Sequence, residues 1–245
     1  MVLEPPGPLD KVLRHPGNQG FDEWFSAGNW HDLNPEQTFH NGQPVGRLEG
    51  MPADIIMGRA LNFIRQAVDR KQPFLAVIWF PEPHFPYRAL EQDKAAYKAY
   101  PEEADYYGEM AAVDRAMGLL RRELRRLRVH QNTMLWFNSD NGSHMVEHNG
   151  GLSGVKMTLM EGGIRVPAIL EWPARAPEPF VTEVPCSTID FYPTILDLLG
   201  IRMPNQIEPI DGISLLPLID RKTTRRPKPI PFETRSQKVG SAALI

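Results

Sequence analysis

With 245 residues, 42 % of them hydrophobic and 23 % charged, the chain can bury one large core or two modest ones, which excludes disorder as its default state. Its formal net charge of −3 gives no electrostatic footprint for nucleic acid, and it has no run of about 18 or more apolar residues to cross a membrane. The single cysteine, Cys186, excludes an internal disulfide and a cysteine-based zinc cluster.

The opening "MVLEPPGPLDKVLRHPG" has neither the charged nor the apolar region of a signal peptide. Residues 1–50 are rich in Pro, Gly, Asn, His and aromatics without periodicity, so they are expected to lie as surface loop on a core supplied later. From Ala53 to Lys71 the spacing of Ile56, Ala60, Phe63, Ile64 and Ala67 predicts a helix, with Asp54 in its first turn.

"FLAVIWF" at 74–80 is apolar on both faces, the pattern of a strand buried between two layers in a parallel or mixed sheet. It ends in "PEPHFPY", whose three prolines forbid further ladder pairing. Met110, Val113, Met117, Leu120, Leu124 and Leu127 then predict a helix between Ala104 and His130. Its "RRELRRLR" stretch reads as a solvated face. A second strand is expected at "TMLWFNS", 133–139, and a third at "IRVPAILEW", 164–172. "STIDFYPTILDLLG" suits a helix ended by Gly200, kinked or delayed by Pro193. The alternation is that of an α/β layered domain, and "RKTTRRPKPIPFETRSQ" reads as an exposed connector.

Ligands of open α/β sheets gather at the carboxyl ends of strands, and here those ends carry His84, Asp140 and Asn141. His84 stands between prolines that fix its loop, or else it is a packed histidine beside Phe85 and Tyr87. Asp140 and Asn141 offer a carboxylate and an amide oxygen to a hard cation; equally, Asp-Asn-Gly is a turn sequence whose Asn and Gly tolerate positive φ. Gly150, Gly151 and Gly154 allow close backbone approach, and Lys156 adds an ammonium, so cation and ammonium together suit an anionic ester such as a sulfate or phosphate. Trp30, His40 and His148 are loop residues that could touch a sugar or aryl group.

"GFDEWF", "PFLAVIWFPEPHFPY", "YYGEMAAVDRAMGLL", "NTMLWFNSDNG", "GLSGVKMTLMEGGIRVPAILEWP" and "STIDFYPTILDLLGI" occur in the order and spacing of the sulfatase family, which this sequence resembles. The resemblance implies an alkaline-phosphatase-like α/β fold, a mixed sheet flanked by helices and here incomplete at both ends. It implies hydrolysis of sulfate monoesters, such as those of sulfated glycans, by a formylglycine nucleophile beside Ca²⁺, with Mg²⁺ as the alternative ion. Carried over, Asp140 and Asn141 match metal ligands, while His84 and Lys156 match catalytic, sulfate-contacting residues.

The formylglycine motif, Cys/Ser-x-Pro-x-Arg, is absent from these residues, since Cys186 lies in "VPCSTID". The family's N-terminal acidic pair and its Lys-x-His segment are also absent. The expectation is therefore a partial catalytic domain over 1–220, inactive alone, and a connector over 221–245 toward a C-terminal subdomain. Partners implied are a sulfated small molecule or glycan and either an N-terminal half or a second copy of the chain. The alternatives are a non-catalytic sulfated-glycan binder or pseudoenzyme, and a phosphatase or phosphodiesterase in which His144 and His148 add metal ligands.

Overall fold

The computed structural model describes residues 15–28, 32–206, 209–234 and 241–244. They fall into two compact units, divided between Val129 and His130.

The first unit opens with a small antiparallel meander, where surface loop is expected from the sequence: β1 (Phe25–Ala27), β2 (Thr38–His40) and β3 (Gln43–Gly46). Asn41 and Gly42, at φ 50° and 79°, make the tight turn from β2 to β3, as an Asn-Gly pair favours. Thr38, almost fully buried, donates its hydroxyl to the Gly46 carbonyl across a bulged register.

Two helices supply the core of this unit, α1 (Pro52–Asp69) and, after the single turn α2 (Glu91–Lys94), the long α3 (Ala104–Arg126). Pro52 suits the first turn of α1, where a missing N–H costs nothing. Its buried face is Ala53, Met57, Leu61, Ile64 and Ala67; Ile64 and Ala67 lie on it as expected, whereas Ile56, Ala60 and Phe63 are half-buried. On α3 the small residues Gly108, Ala112 and Ala116 are buried, and α3 packs on α1; Met110, an expected core residue, is exposed.

Ionic ties cross the same helices. Arg115 of α3 bonds Asp54 of α1 at 2.6 Å and also grips the buried Asp93 of α2. The "RRELRRLR" stretch is solvated at its arginines, but Glu123 within it is buried and clamped by Arg126 and Arg65 at 2.7 and 2.5 Å.

The expected strand at 74–80 is extended but has no ladder partner among the described residues. Leu75, Val77 and Trp79 are 54, 50 and 74 % exposed, alternating with half-buried Phe74, Ala76, Ile78 and Phe80, so the run is not enclosed on both faces within the described residues. An apolar sequence encodes extended backbone, whereas strand pairing needs a second segment.

In the second unit β4 (Leu135–Asn138) leads through a long loop to the one-turn α4 (Glu161–Ile164) and back to β5 (Ala168–Glu171). The two strands pair antiparallel, Leu135 opposite Glu171 and Asn138 opposite Ala168. The first residue of the expected 164–172 strand is thus helical. Then follow α5 (Phe191–Leu199), ended by the left-handed Gly200, α6 (Leu216–Ile219), and the pair β6 (Pro231–Thr234) and β7 (Ser241–Leu244). Pro193 lies in the first turn of α5, where its missing N–H leaves no helical bond unmade, so the helix starts at Phe191 ahead of it. Trp172, Leu215, Leu216, Leu218 and Ile219 form the core, with Trp136 and Leu170 against it.

The stretch expected to be an exposed connector is anchored at Arg226. Its guanidinium meets both oxygens of the fully buried Asp190, at 2.7 and 2.9 Å. Asp190 also accepts the N–H of Ser187 and of Ile213, so every strong acceptor site of the carboxylate is used.

Candidate functional site

In the first unit the His84 loop is fastened from α3. Prolines 81, 83 and 86 lack an N–H, so few loop amides need partners, and three of them find carboxylates one helical turn apart. Glu109 accepts the N–H of His84 at 3.1 Å and of Arg88 at 2.8 Å; Asp105 accepts that of Ala89 at 2.9 Å. His84 is half-buried, and its Nδ1–H donates to the Phe85 carbonyl at 2.6 Å, a bond that places a proton on Nδ1.

Behind this loop lies a second carboxyl. Glu82 accepts the Ala53 N–H, an orphan donor of the first turn of α1, at 2.8 Å, while its other oxygen is buried with no partner among the described residues. A water-sized void of about 10 Å³ separates Glu82, His84, Arg88 and Glu109. Burial pushes Glu109 up to about 7, against the pull of the Arg88 and His84 amides and with added repulsion from Glu82 and Asp105. Burial likewise pushes Glu82 up to about 7, against the Ala53 bond and with Asp54 adding to the rise.

In the second unit the chain leaves β4 at Ser139, whose hydroxyl donates to the Asn141 carbonyl. Neither Asn141 nor Gly142 has positive φ, so Asp140-Asn141-Gly142 is not the left-handed turn its letters allow. Gly142 answers a different need: a Cβ there would overlap the carbonyl oxygen of Gly162. Gly162 is as restricted, facing the carbonyls of Ser153 and Gly154, and backbone bonds from Gly142 to Gly163 and from Gly162 to Ser153 seal the contact at 3.0 and 2.7 Å.

Asn149, buried in this loop, completes the fastening. Its Oδ1 accepts the Ser143 N–H at 2.7 Å, and its Nδ2 donates to the carbonyls of Ser143 and Gly154 at 3.3 and 2.9 Å. The N–H of Lys156 then donates to the Ser143 carbonyl at 2.9 Å. The backbone of Lys156 is thereby held two residues from Asn141, on the same loop assembly as Asp140. Asp140 is exposed, and Asn141 and Lys156 are half-exposed.

As a donor set, Asp140 and Asn141 are hard oxygens suited to Ca²⁺ or Mg²⁺, and they fill only part of a shell of six or more. Among the described residues no group of at least three His, Cys, Asp or Glu converges on a metal position. His40 pairs with Glu23 at 3.1 Å, and His148 is half-buried in the short turn Val146–His148; Trp30 lies outside the described residues. Glu109 and Asn149 were not legible as functional in the sequence. An acid and an amide inside otherwise apolar or glycine-rich patterns were the available signals.

A family model described as Sulfatase matches residues 8–201. The N-acetylgalactosamine-6-sulfatase of Canis lupus familiaris is 30 % identical over 239 residues, 87 % of this chain and 45 % of that protein. The ulvan-active sulfatase of Formosa agariphila is 28 % identical over 227 residues, 84 % of this chain and 44 % of that protein. The chain therefore spans about half the length of the curated relatives it matches. The crystal structure of Ps i-CgsB in complex with k-i-k-neocarrahexaose matches with a TM-score of 0.87 at 28 % identity, over 96 % of this chain and 58 % of that one. The fold is thus the alkaline-phosphatase-like α/β fold, of which this chain covers a part. A family model that matches most of the sequence and relatives that are sulfatases by name together place this chain in the sulfatase family.

Proposed function

We propose that this chain carries sulfate-recognition and metal-binding groups for hydrolysis of a sulfate monoester on a carbohydrate. The observation that supports this reading best is the loop fastened by Asn149, Gly142 and Gly162, which keeps Lys156 beside the Asp140–Asn141 segment. Asp140 and Asn141 would hold Ca²⁺ or Mg²⁺, an ion that supplies positive charge to a sulfate oxygen when bound. Lys156 contributes a compact ammonium for the same developing charge, and His84, when protonated on both nitrogens, can donate from Nε2 to the departing alkoxide. Relatives named for N-acetylgalactosamine-6-sulfate and ulvan, and the neocarrahexaose complex of Ps i-CgsB, support a carbohydrate ester as the substrate class.

These 245 residues contain no Cys/Ser-x-Pro-x-Arg, so hydrolysis needs a nucleophile from elsewhere and this chain alone is inactive. The extended 74–80 run, without a ladder partner among the described residues, supports the corollary that further strands of the fold pair with it, and that the chain by itself self-associates through that run.

Titration calorimetry tests the metal and sulfate roles separately. Asp140→Ala is expected to abolish Ca²⁺ binding, whereas Lys156→Ala keeps Ca²⁺ and loses at least about tenfold in affinity for a sulfated hexasaccharide. Unchanged hexasaccharide affinity in Lys156→Ala refutes the sulfate role, and turnover of 4-nitrophenyl sulfate by the isolated chain above a metal-free control refutes the missing nucleophile.

A further inference from the structure

The carboxyl of Glu109 is 3 % exposed and belongs to a rigid helix, yet both its oxygens are spent on backbone amides of one loop. The ionisable groups that act on it are Glu82, Asp105 and Tyr87, drawn from the loop and from α3, and His84 and Arg88 meet it through their backbone N–H groups. Arg115 of α3 is committed to Asp54 and Asp93. A carboxyl in that setting does two things at once: it fixes the path of the loop, and it makes the fixing depend on a proton.

We infer that Glu109 is the positioning residue of the His84 loop: by receiving the N–H of His84 and of Arg88 it sets where the imidazole stands, and it releases the loop when it ionises. The second half follows from linkage. Docking the loop buries the carboxyl and favours its neutral form, so the docked state binds more protons than the released one. Docking is then complete in acid and is lost as pH rises through the neutral range where Glu109 titrates. The ionised carboxylate accepts stronger hydrogen bonds, but burial, the larger effect, outweighs that gain.

For function the inference rests on the reading of His84 as a sulfate-ester contact, but the tether itself is tested without any ester. Amide hydrogen exchange, corrected for the intrinsic pH dependence, is measured at pH 6 and pH 8 on the whole chain. In the parent protein the protection of the His84 and Arg88 amides is expected to fall at least about tenfold between the two, while Leu61 and Ile64 in α1 stay protected. In Glu109→Gln the amide oxygen keeps one of the two bonds, so one loop amide is deprotected already at pH 6 and the pH dependence is smaller than in the parent, the remainder being that of Glu82. Glu109→Asp, which keeps the proton but shortens the reach, retains the pH dependence with weaker protection. Equal protection of His84 and Arg88 in parent and Glu109→Gln at both pH values overturns the inference, as does parent protection that is flat or rises with pH. Should Glu109→Gln fail to fold, the parent and Glu109→Asp profiles decide it. Full hexasaccharide affinity in His84→Ala would remove the sulfate reading and leave the tether standing.

Discussion

The two units treat similar sequences differently. "FLAVIWF" and "TMLWFNS" are both short apolar runs followed by a loop with candidate chemistry, but the first has no ladder partner among the described residues and leaves Trp79 74 % exposed, and the second forms β4 against β5. The loops differ in the same direction. After 74–80 the loop is held by two buried carboxyls, Glu109 on the His84 N–H and Glu82 on the Ala53 N–H; after β4 the loop is held by a neutral amide, Asn149, and by glycine contacts that no proton can alter. The lesson is that a buried polar group without an opposite charge ties local order to pH, and a neutral or fully paired one does not.

The largest expected effect strikes the best-paired group. Arg226→Met leaves the fully buried Asp190 without its cation and should cost about 3–5 kcal/mol at neutral pH, read by chemical denaturation. A loss below about 1 kcal/mol would show that the pair contributes little and would blur the contrast between the units. Next, Asn149→Ala takes the side-chain partner from the Ser143 N–H and from the Gly154 carbonyl inside the glycine loop and should cost roughly 2–3 kcal/mol, equally at pH 5 and pH 8. A pH-dependent loss there breaks the comparison outright.

Glu82→Gln sharpens it from the other side. Glu82 has a carboxyl raised from 4.5 to about 7 on folding, so its contribution is fully present below pH 4.5 and fades as pH rises through 7. The stability of Glu82→Gln relative to the parent should therefore increase by about 1–3 kcal/mol between pH 5 and pH 8. The opposite slope would mean that the carboxyl is held in its charged form. Glu123 runs with the opposite sign: Arg126 and Arg65 hold it well below the usual carboxylate range, so its stabilisation is present at neutral pH and lost in acid. Smallest in folding free energy is Trp79→Ser, expected within about 0.5 kcal/mol of the parent, yet it should reduce self-association in sedimentation. An unchanged distribution of species would show that the unpaired run is not the contact.

Much of this was readable in the letters, and the failures have physical causes. Helical spacing located α1 and α3, but in the first half of α1 the buried positions are Ala53, Met57 and Leu61, where Ile56 and Ala60 were expected. The run at 74–80 was correctly extended; whether it pairs depends on a second segment, which no local pattern encodes. Asn41-Gly42 between "TFH" and "QPV" was a hairpin signal within what was read as loop. At the site, the sequence offered Asp140, Asn141, Lys156 and His84 as candidates, and local bonding accounts for how their backbones are held. It could not offer Glu109 or Asn149, because a lone buried acid and a lone buried amide acquire meaning only from which amides they meet in space.

The bond between Asp190 and Arg226 bears on how this protein can be cut. Thirty-six positions separate the two partners, so a shortened version ending anywhere before 226 would strand a fully enclosed anion at the head of α5, and solubility screens of such versions would report that defect rather than any property of the domain. Useful boundaries lie beyond Ile230, itself enclosed, where the backbone has already made its return.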